Sequence, residues 1–261
     1  MTILNHCAIF SLENRGLSRR MLNRDQLLKG LLNLLDDAEG IDIDDAVAHV
    51  KNHLAAEAEN IRKKNLEKIF HKQIATLKER ETPINIIELL SGKKDEVLEV
   101  AVKMHTGRDN IPFLPVIPQS YRGLYDVMEM LRYGERKHGT SIIAPRLRDL
   151  RKVPRDLYYI YDVEGSDATC GQKIQDAVKT LRKQSRLPLT IFETLALCVH
   201  TNALYKHSLC AAGSRYVHHI GGHNKSIPYV YCNIDRAWGV GLVANFTSYP
   251  HLGTPSCGRR A

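Results

Sequence analysis

The sequence predicts an α+β protein: a helical N-terminal region followed by a mixed α/β part closing in an antiparallel β-meander. Three observations carry this. Between residues 43 and 80 apolar side chains recur at helical spacing: Val47, Val50, Leu54, Ala58, Ile61, then Leu66, Ile69, Phe70, Ile74 and Leu77. In the middle of the chain a strand pattern at 157–163, rich in aromatic and β-branched residues, alternates with a helix pattern at 172–183. Beyond these, strand patterns at 208–213, 227–234 and 238–246 are joined by turn residues, Gly221-Gly222-His223-Asn224 and Asp235-Arg236. Helices first and strands later is the order of an α+β chain, here divided as 1–40 (tail and short helix), 41–105 (helical) and 106–261 (α+β domain).

Taken in order, residues 27–35 make a short apolar helix closed by Gly40. The acidic run from Asp36 to Asp45 does not hold Gly and a distal Glu in the register of a calcium loop, so it reads as a turn. Asp42, Asp44 and Asp45 favour the N-terminus of the next helix, and Lys78 and Arg80 its end. The stripe breaks between Ile61 and Leu66, leaving one bent helix or two. After a turn at Ser91-Gly92-Lys93-Lys94, residues 96–104 form another helix. Pro112, Pro115 and Pro118 then lie three apart, the polyproline II repeat, but Phe113, Leu114, Val116 and Ile117 require burial. An edge strand satisfies both, because an edge tolerates missing N–H donors. A helix follows at 121–133. Thr190 with Glu193 three residues later is a capping box that starts a helix burying Ile191, Leu195, Leu197 and Cys198.

At 261 residues and 43% hydrophobic the chain builds its core without disulfides. Six Cys at irregular spacing, with no C-x-x-C, point to reduced thiols and a cytoplasmic protein. No apolar run approaches the ~20 residues of a membrane span. The Arg15, Arg19, Arg20, Arg24 cluster is followed by Asp25 and preceded by Glu13, which does not suit a targeting peptide. The net charge of +8 is spread along the chain, densest between Arg132 and Arg155. Only Tyr133 interleaves with those cations, too little for a stacking platform, so nucleic acid is disfavoured as a partner despite the basic pI. Partners remain unnamed, a homo-oligomer is left open, and no membrane is expected.

Chemistry concentrates in residues 187–261. The only acids there are Glu193 and Asp235, beside Cys198, His200, His207, Cys210, His218, His219, His223, Cys232, His251 and Cys257. Cys210, His219, His223 and Cys232 form a candidate zinc set by residue type, although no pair has the tight spacing of a zinc knuckle. Cys257, before Gly258-Arg259-Arg260, is a candidate nucleophile with His251 as base, because nearby cations lower a thiol pKa. Against this, Ser256-Cys257 equally suits packing of the terminus. Gly213, Ser214 and Arg215, with His251 and Arg259, are candidates for binding a small anion through backbone amides and guanidinium groups. The alternative for the Gly-Ser-Arg triplet is a turn whose Arg pairs with an acid such as Asp162. Trp238, Tyr229 and Tyr231 read as sheet packing.

From about Leu66 the chain resembles a largely actinobacterial family of proteins of unknown function. The similar pieces are Ile69-Phe70-His71-Lys72-Gln73-Ile74, Ile111-Pro112-Phe113, Tyr158-Tyr159-Ile160-Tyr161-Asp162-Val163, and Leu187-Pro188-Leu189-Thr190 with Glu193, Ala196 and Leu197. Gly213-Ser214-Arg215, Ile227-Pro228-Tyr229 and the tail Pro250-His251, Leu252-Gly253, Ser256-Cys257, Arg259 complete it. The resemblance implies a shared fold and brings no activity or cofactor. The sequence departs from it between Tyr231 and Trp238, at Pro115 and over the first sixty residues. The expectation is therefore a non-catalytic binding or interaction module, with no cofactor and a ligand that is small and anionic. The alternative is a Cys/His-dependent or metal-dependent hydrolase or transferase. Both rest on one requirement, that residues 250–261 fold back and are pinned to the sheet.

Overall fold

The computed structural model describes residues 43–131, 136–137, 140, 142–218, 225–232, 237–244 and 247–261. The helix expected at 27–35 and most of the acidic turn lie outside these residues. The chain divides into two compact units, Met1–Arg62 and Lys63–Ala261. In the first, the described residues 43–62 are helical.

Helix α1 runs unbroken from Ile43 to Glu79, so the lapse in its stripe between Ile61 and Leu66 marks a change of burial and not a helix end. Within the second unit its residues Leu66, Phe70, Ile74 and Leu77 are buried. Helices α2 (Ile84–Gly92) and α3 (Lys94–Lys103) follow, separated by Lys93 alone. The periodicity did not announce α2, because Ile84, Ile86, Ile87, Leu89 and Leu90 crowd nine residues too densely to show a stripe.

The remaining elements are β1 (Ile111–Val116), α4 (Leu124–Glu129), β2 (Arg136–Lys137), β3 (Leu147–Asp149), β4 (Tyr158–Val163) and α5 (Ile174–Lys183). Then come β5 (Leu187–Pro188), α6 (Ile191–His200), α7 (Ala203–Lys206), β6 (Ser208–Cys210), β7 (Ser214–Val217), β8 (Lys225–Cys232) and β9 (Ala237–Val243). The tail adds β10 (Leu252–Gly253), β11 (Ser256–Cys257) and β12 (Arg259–Arg260). The fold is α+β. Helix α4 is shorter than its pattern because Tyr121 and Arg122 turn back to donate to the Pro118 carbonyl, and Gly123 caps the helix through the Asp126 carboxylate.

Strand β4 is central in a three-stranded antiparallel sheet of order β1-β4-β12, with β1 at the edge its prolines require. Phe70, Phe113 and Tyr159 pack ring to ring at 6.0–6.3 Å where α1 crosses this sheet. Gln73 Nε2 donates to the Phe113 carbonyl at 2.6 Å, and the Tyr159 hydroxyl donates to the Leu90 carbonyl at 3.2 Å. The helices from Lys63 onward thus share one core with the strands, and no boundary falls at 105/106.

In the second sheet β7, β8 and β9 pair antiparallel in succession, as a meander does. The meander is not the whole sheet, because β6 pairs with β8, β3 with β7, β10 parallel with β6, and β2 parallel with β9. The pattern at 208–213 gives β6, and β7 begins within the Gly213-Ser214-Arg215 triplet, whose alternative reading is a turn.

The last ten residues are bound into three places. β10 lies on β6, β11 on β5 and β12 on β4, and Ala261 exchanges both backbone hydrogen bonds with Tyr159. The expected pinning is present, with its last strand on the first sheet instead of on the meander. At its end Arg260 forks onto Glu193 at 2.5 and 2.8 Å and donates to the Pro188 carbonyl at 3.0 Å. Glu193 is fully buried, and its second task is the capping box, accepting from the Thr190 N–H at 2.7 Å. The Tyr158 hydroxyl also donates to it, at 3.0 Å.

Removing one partner of such a buried pair strands the other charge, at about 3–5 kcal/mol. Arg260→Ala is therefore expected to lower the melting temperature by roughly 6–20 °C for a unit of this size. The double variant Glu193→Gln, Arg260→Met, which removes both charges and keeps the cap, is expected to lose less than Arg260→Ala alone. Thermal unfolding followed by circular dichroism checks both.

Candidate functional site: a tyrosine-lined cleft

Most residues that chemistry singled out are committed to structure. Cys257 is fully buried in β11, where burial, opposed by Arg260 and Arg186, pushes its thiol up to about 12. The neighbouring arginines do not activate it, because each is engaged by an acid: Arg260 by Glu193, and Arg186 by Asp162. His251 is exposed in a different setting, and its carbonyl accepts the Ser208 N–H that docks β10 on β6. Arg259 is exposed on β12, which pairs with β4.

The Gly-Ser-Arg triplet is likewise engaged. A Cβ at Gly213 would stand 2.6 Å from the Pro188 carbonyl oxygen, so only glycine fits there. Ser214 is buried; its hydroxyl donates to Asp149 at 2.7 Å and accepts from the Ile191 N–H at 3.0 Å, satisfying a first-turn amide of α6. Arg215 turns onto the Ala212 and Ser214 carbonyls at 2.9 and 2.7 Å, and the acid suggested for it, Asp162, is held by Arg186. Gly213, Ser214, Arg215, His251 and Arg259 therefore do not form one anion site. Asp162 itself sits in left-handed backbone (φ 51°), fastened by the Gly107 N–H, Asn110 and Arg186.

Of the zinc candidates, His219 and His223 lie outside the described residues. Burial pushes the Cys210 thiol up to about 12, and Cys232 is half-buried. Among the described residues no three His, Cys, Asp or Glu side chains group as a metal site.

A Ser-His-Asp set escaped the sequence reading. Ser166 Oγ lies 2.7 Å from His207 Nε2, and His207 Nδ1 lies 3.9 Å from Asp167. Ser166 and Asp167 are adjacent, but helices α5, α6 and α7 and strand β5 separate them from His207, and no spacing rule reveals the set. Ser166 is 0% exposed, and a Cβ at Gly253 would stand 2.5 Å from its Oγ. No substrate carbon fits there, so the hydroxyl serves to lock β10 over the turn before α5.

What remains is a cleft of about 330 Å³, lined by Ser208, Tyr229, Tyr231, Cys232, Tyr249, Pro250, His251 and Leu252. Its construction is legible. Ile227, Tyr229 and Tyr231 alternate onto one face of β8. At the Ile227 end this face is covered by Ile174 of α5, together with Cys210, Val243 and Leu252. Helix α5 reaches no further, so the Tyr231 end stays open. On β9, Gly241 and Gly239 stand opposite Tyr229 and Tyr231. A Cβ at Gly241 would fall 2.7 Å from the Tyr229 ring, so the missing side chain lets that ring lie flat on the strand. The two tyrosine rings stand 5.4 Å apart at 35°, and Tyr249, 58% exposed, forms the facing wall with Pro250 and His251. Burial, then the neighbouring Tyr231 and Tyr249, raise the Tyr229 phenol above its ordinary value. Among the described residues no acid lines the cleft.

Reading Tyr229 and Tyr231 as sheet packing was half the answer, since each packs one edge and presents the other. Ser208 and Tyr249 went unnoticed. The available signal was the Trp-Gly-Val-Gly register of β9, which leaves two bare positions opposite two tyrosines. A second cavity of about 10 Å³, against Leu77, Phe192 and His200, has room for one water at most. No family model, no curated protein and no solved structure matches the chain.

The burial of the thiols has a measurable consequence. A thiol with a pKa near 12 is thiolate in about one molecule in ten thousand at pH 8. Native protein is expected to yield Cys170 and Cys232 to a thiol reagent promptly, and Cys198, Cys210 and Cys257 only after unfolding, as read by mass mapping of labelled peptides.

Proposed function

We propose that the chain is a non-catalytic binding module and that its ligand occupies the tyrosine cleft. The observation that carries this is the cleft itself, an open apolar recess walled by three phenol rings with Ser208 and His251 at its rim. Such a recess, with few polar groups to orient a ligand, is the usual form of a small-molecule site, and its volume falls at the lower end of that range. Tyrosine suits this work because its ring is large and rigid while its hydroxyl still hydrogen-bonds.

The enzymatic alternative finds less support. Cys257 is buried with a raised pKa, and Ser166 has no space before it. The five described cysteines are free thiols, which supports a reducing compartment such as the cytoplasm. Among the described residues no helix is long and apolar enough to cross a membrane. The resemblance of the ordered tail motifs to the actinobacterial family supports a bacterial source.

Titration with 1-anilinonaphthalene-8-sulfonate, a planar aromatic anion, tests the reading. One saturable site per chain is expected, weakened several-fold by Tyr231→Ala and by Tyr249→Ala while near-ultraviolet circular dichroism stays native. Saturable binding that ignores both substitutions, or no binding, would overturn it.

A further inference from the structure

Among the ionisable side chains described, His200 alone has every polar atom buried and unpartnered: neither Nδ1 nor Nε2 meets a donor or an acceptor. It ends α6 and lines the cavity of about 10 Å³, which holds one water at most. The elements packed around that cavity bring it Leu77 from α1, Pro115 and Ile117 from β1 and the residue after it, and Val127 and Met130 from α4 and the residue after it. All five are apolar. The charge that acts on His200 has the wrong sign for a proton, since it is that of Arg80, one residue past α1, whose own Nε is buried without a partner. Glu79 and Glu81 beside Arg80, and Asp126 and Glu129 near the cavity on α4, are exposed. Glu193, at the other end of α6, is spent on Arg260, and Lys206 of α7 is paired with Asp167.

We infer that the junction of α1, α4 and α6 is an acid-released latch, shut while His200 is neutral and opened by a proton on its ring. Protonation would place an imidazolium in an apolar wall, beside a second cation and with one water at most to solvate it. A helix C-terminus favours a cation, but burial outweighs it: burial first, then Arg80, hold the imidazole down to about 3, against an ordinary 6.5. The open form therefore binds the proton more tightly than the closed one. Each unit of pH below 6.5 favours opening about tenfold, down to about 3, and above 6.5 the latch is indifferent to pH. Phenylalanine or leucine would fill the same wall with no unpaired atom, so what the imidazole adds here is its titration.

The experiment unfolds the full chain in urea at pH 7.5, 6.5, 5.5 and 4.5, beside His200→Phe and His200→Gln, neither of which titrates. Relative to either variant, the wild-type unfolding constant should rise about 10-fold at pH 5.5 and about 100-fold at pH 4.5 against its value at pH 7.5. Carboxylates and the other histidines titrate alike in all three proteins and cancel in the ratio. His200→Gln keeps an unpaired polar group, so it separates titration from packing, and either variant suffices if the other does not fold. Hydrogen exchange at pH 5 locates the event. Protection at Leu77 and at residues 196–200 should fall in the wild type while that of β4 holds, and both should hold in His200→Phe. A ratio that ignores pH overturns the latch, because His200 would then take its proton without opening. Loss of protection in β4 together with α6 overturns it as well, because acid would then unfold the whole core.

Discussion

The buried contact between Arg260 and Glu193 ties together parts of the chain that lie far apart in sequence. Glu193 is fully desolvated, so it needs a cation and hydrogen-bond donors at hand, and Arg260, Tyr158 and the Thr190 N–H supply them. The carboxylate thus joins the C-terminal strand, the central strand of the first sheet and the N-terminus of α6. A pair like this is costly to desolvate, and its attraction about offsets that cost. Its effect is on register: bidentate geometry admits one position of the tail against β4.

Once the tail is held at its end, the residues before it have little freedom. Ser256 and Glu164 exchange backbone hydrogen bonds, and Arg186 bridges Asp162 and Ser256. Gly253 lies against Ser166, and Tyr249-Pro250-His251 stands as one wall of the cleft. The other wall is the sheet face that α5 does not cover. A helix of ten residues spans about 15 Å and the eight residues of β8 about 26 Å, so the helix does not cover the whole β8 face. The cleft follows from this mismatch and from two glycines on β9.

The distribution of reactive groups shows why composition misleads about sites. His, Cys and Ser crowd the last third of the chain, but Cys198, Cys210 and Cys257 act as small apolar fillers. Ser214 and Ser166 satisfy a helix amide and a histidine, and Arg186 and Arg260 neutralise buried acids. Most polar side chains buried here answer the need of another, the ring nitrogens of His200 being an exception among the described residues, which leaves few for a ligand. The groups left to face solvent in the recess are aromatic.

The sequence by itself determined the fold class, the long first helix, the proline-bearing edge strand, the aromatic strand β4 and the Thr190–Glu193 capping box. All of these depend on contacts within a few residues or on periodicity along one element, and local physics is written locally. It did not show α2, whose apolar residues are too dense for a stripe, nor the recruitment of β2, β3, β7 and β10 into the second sheet. It placed the candidate anion site on Gly213, Ser214, Arg215, His251 and Arg259, which the fold distributes over the start of β7, the residue before β10, and β12. The approach of β2 to β9, the partner of Glu193, and the exposure of one end of β8 were decided by tertiary packing. Pairing between distant strands is fixed by the burial of whole faces, and no short window of sequence contains both sides of such a choice.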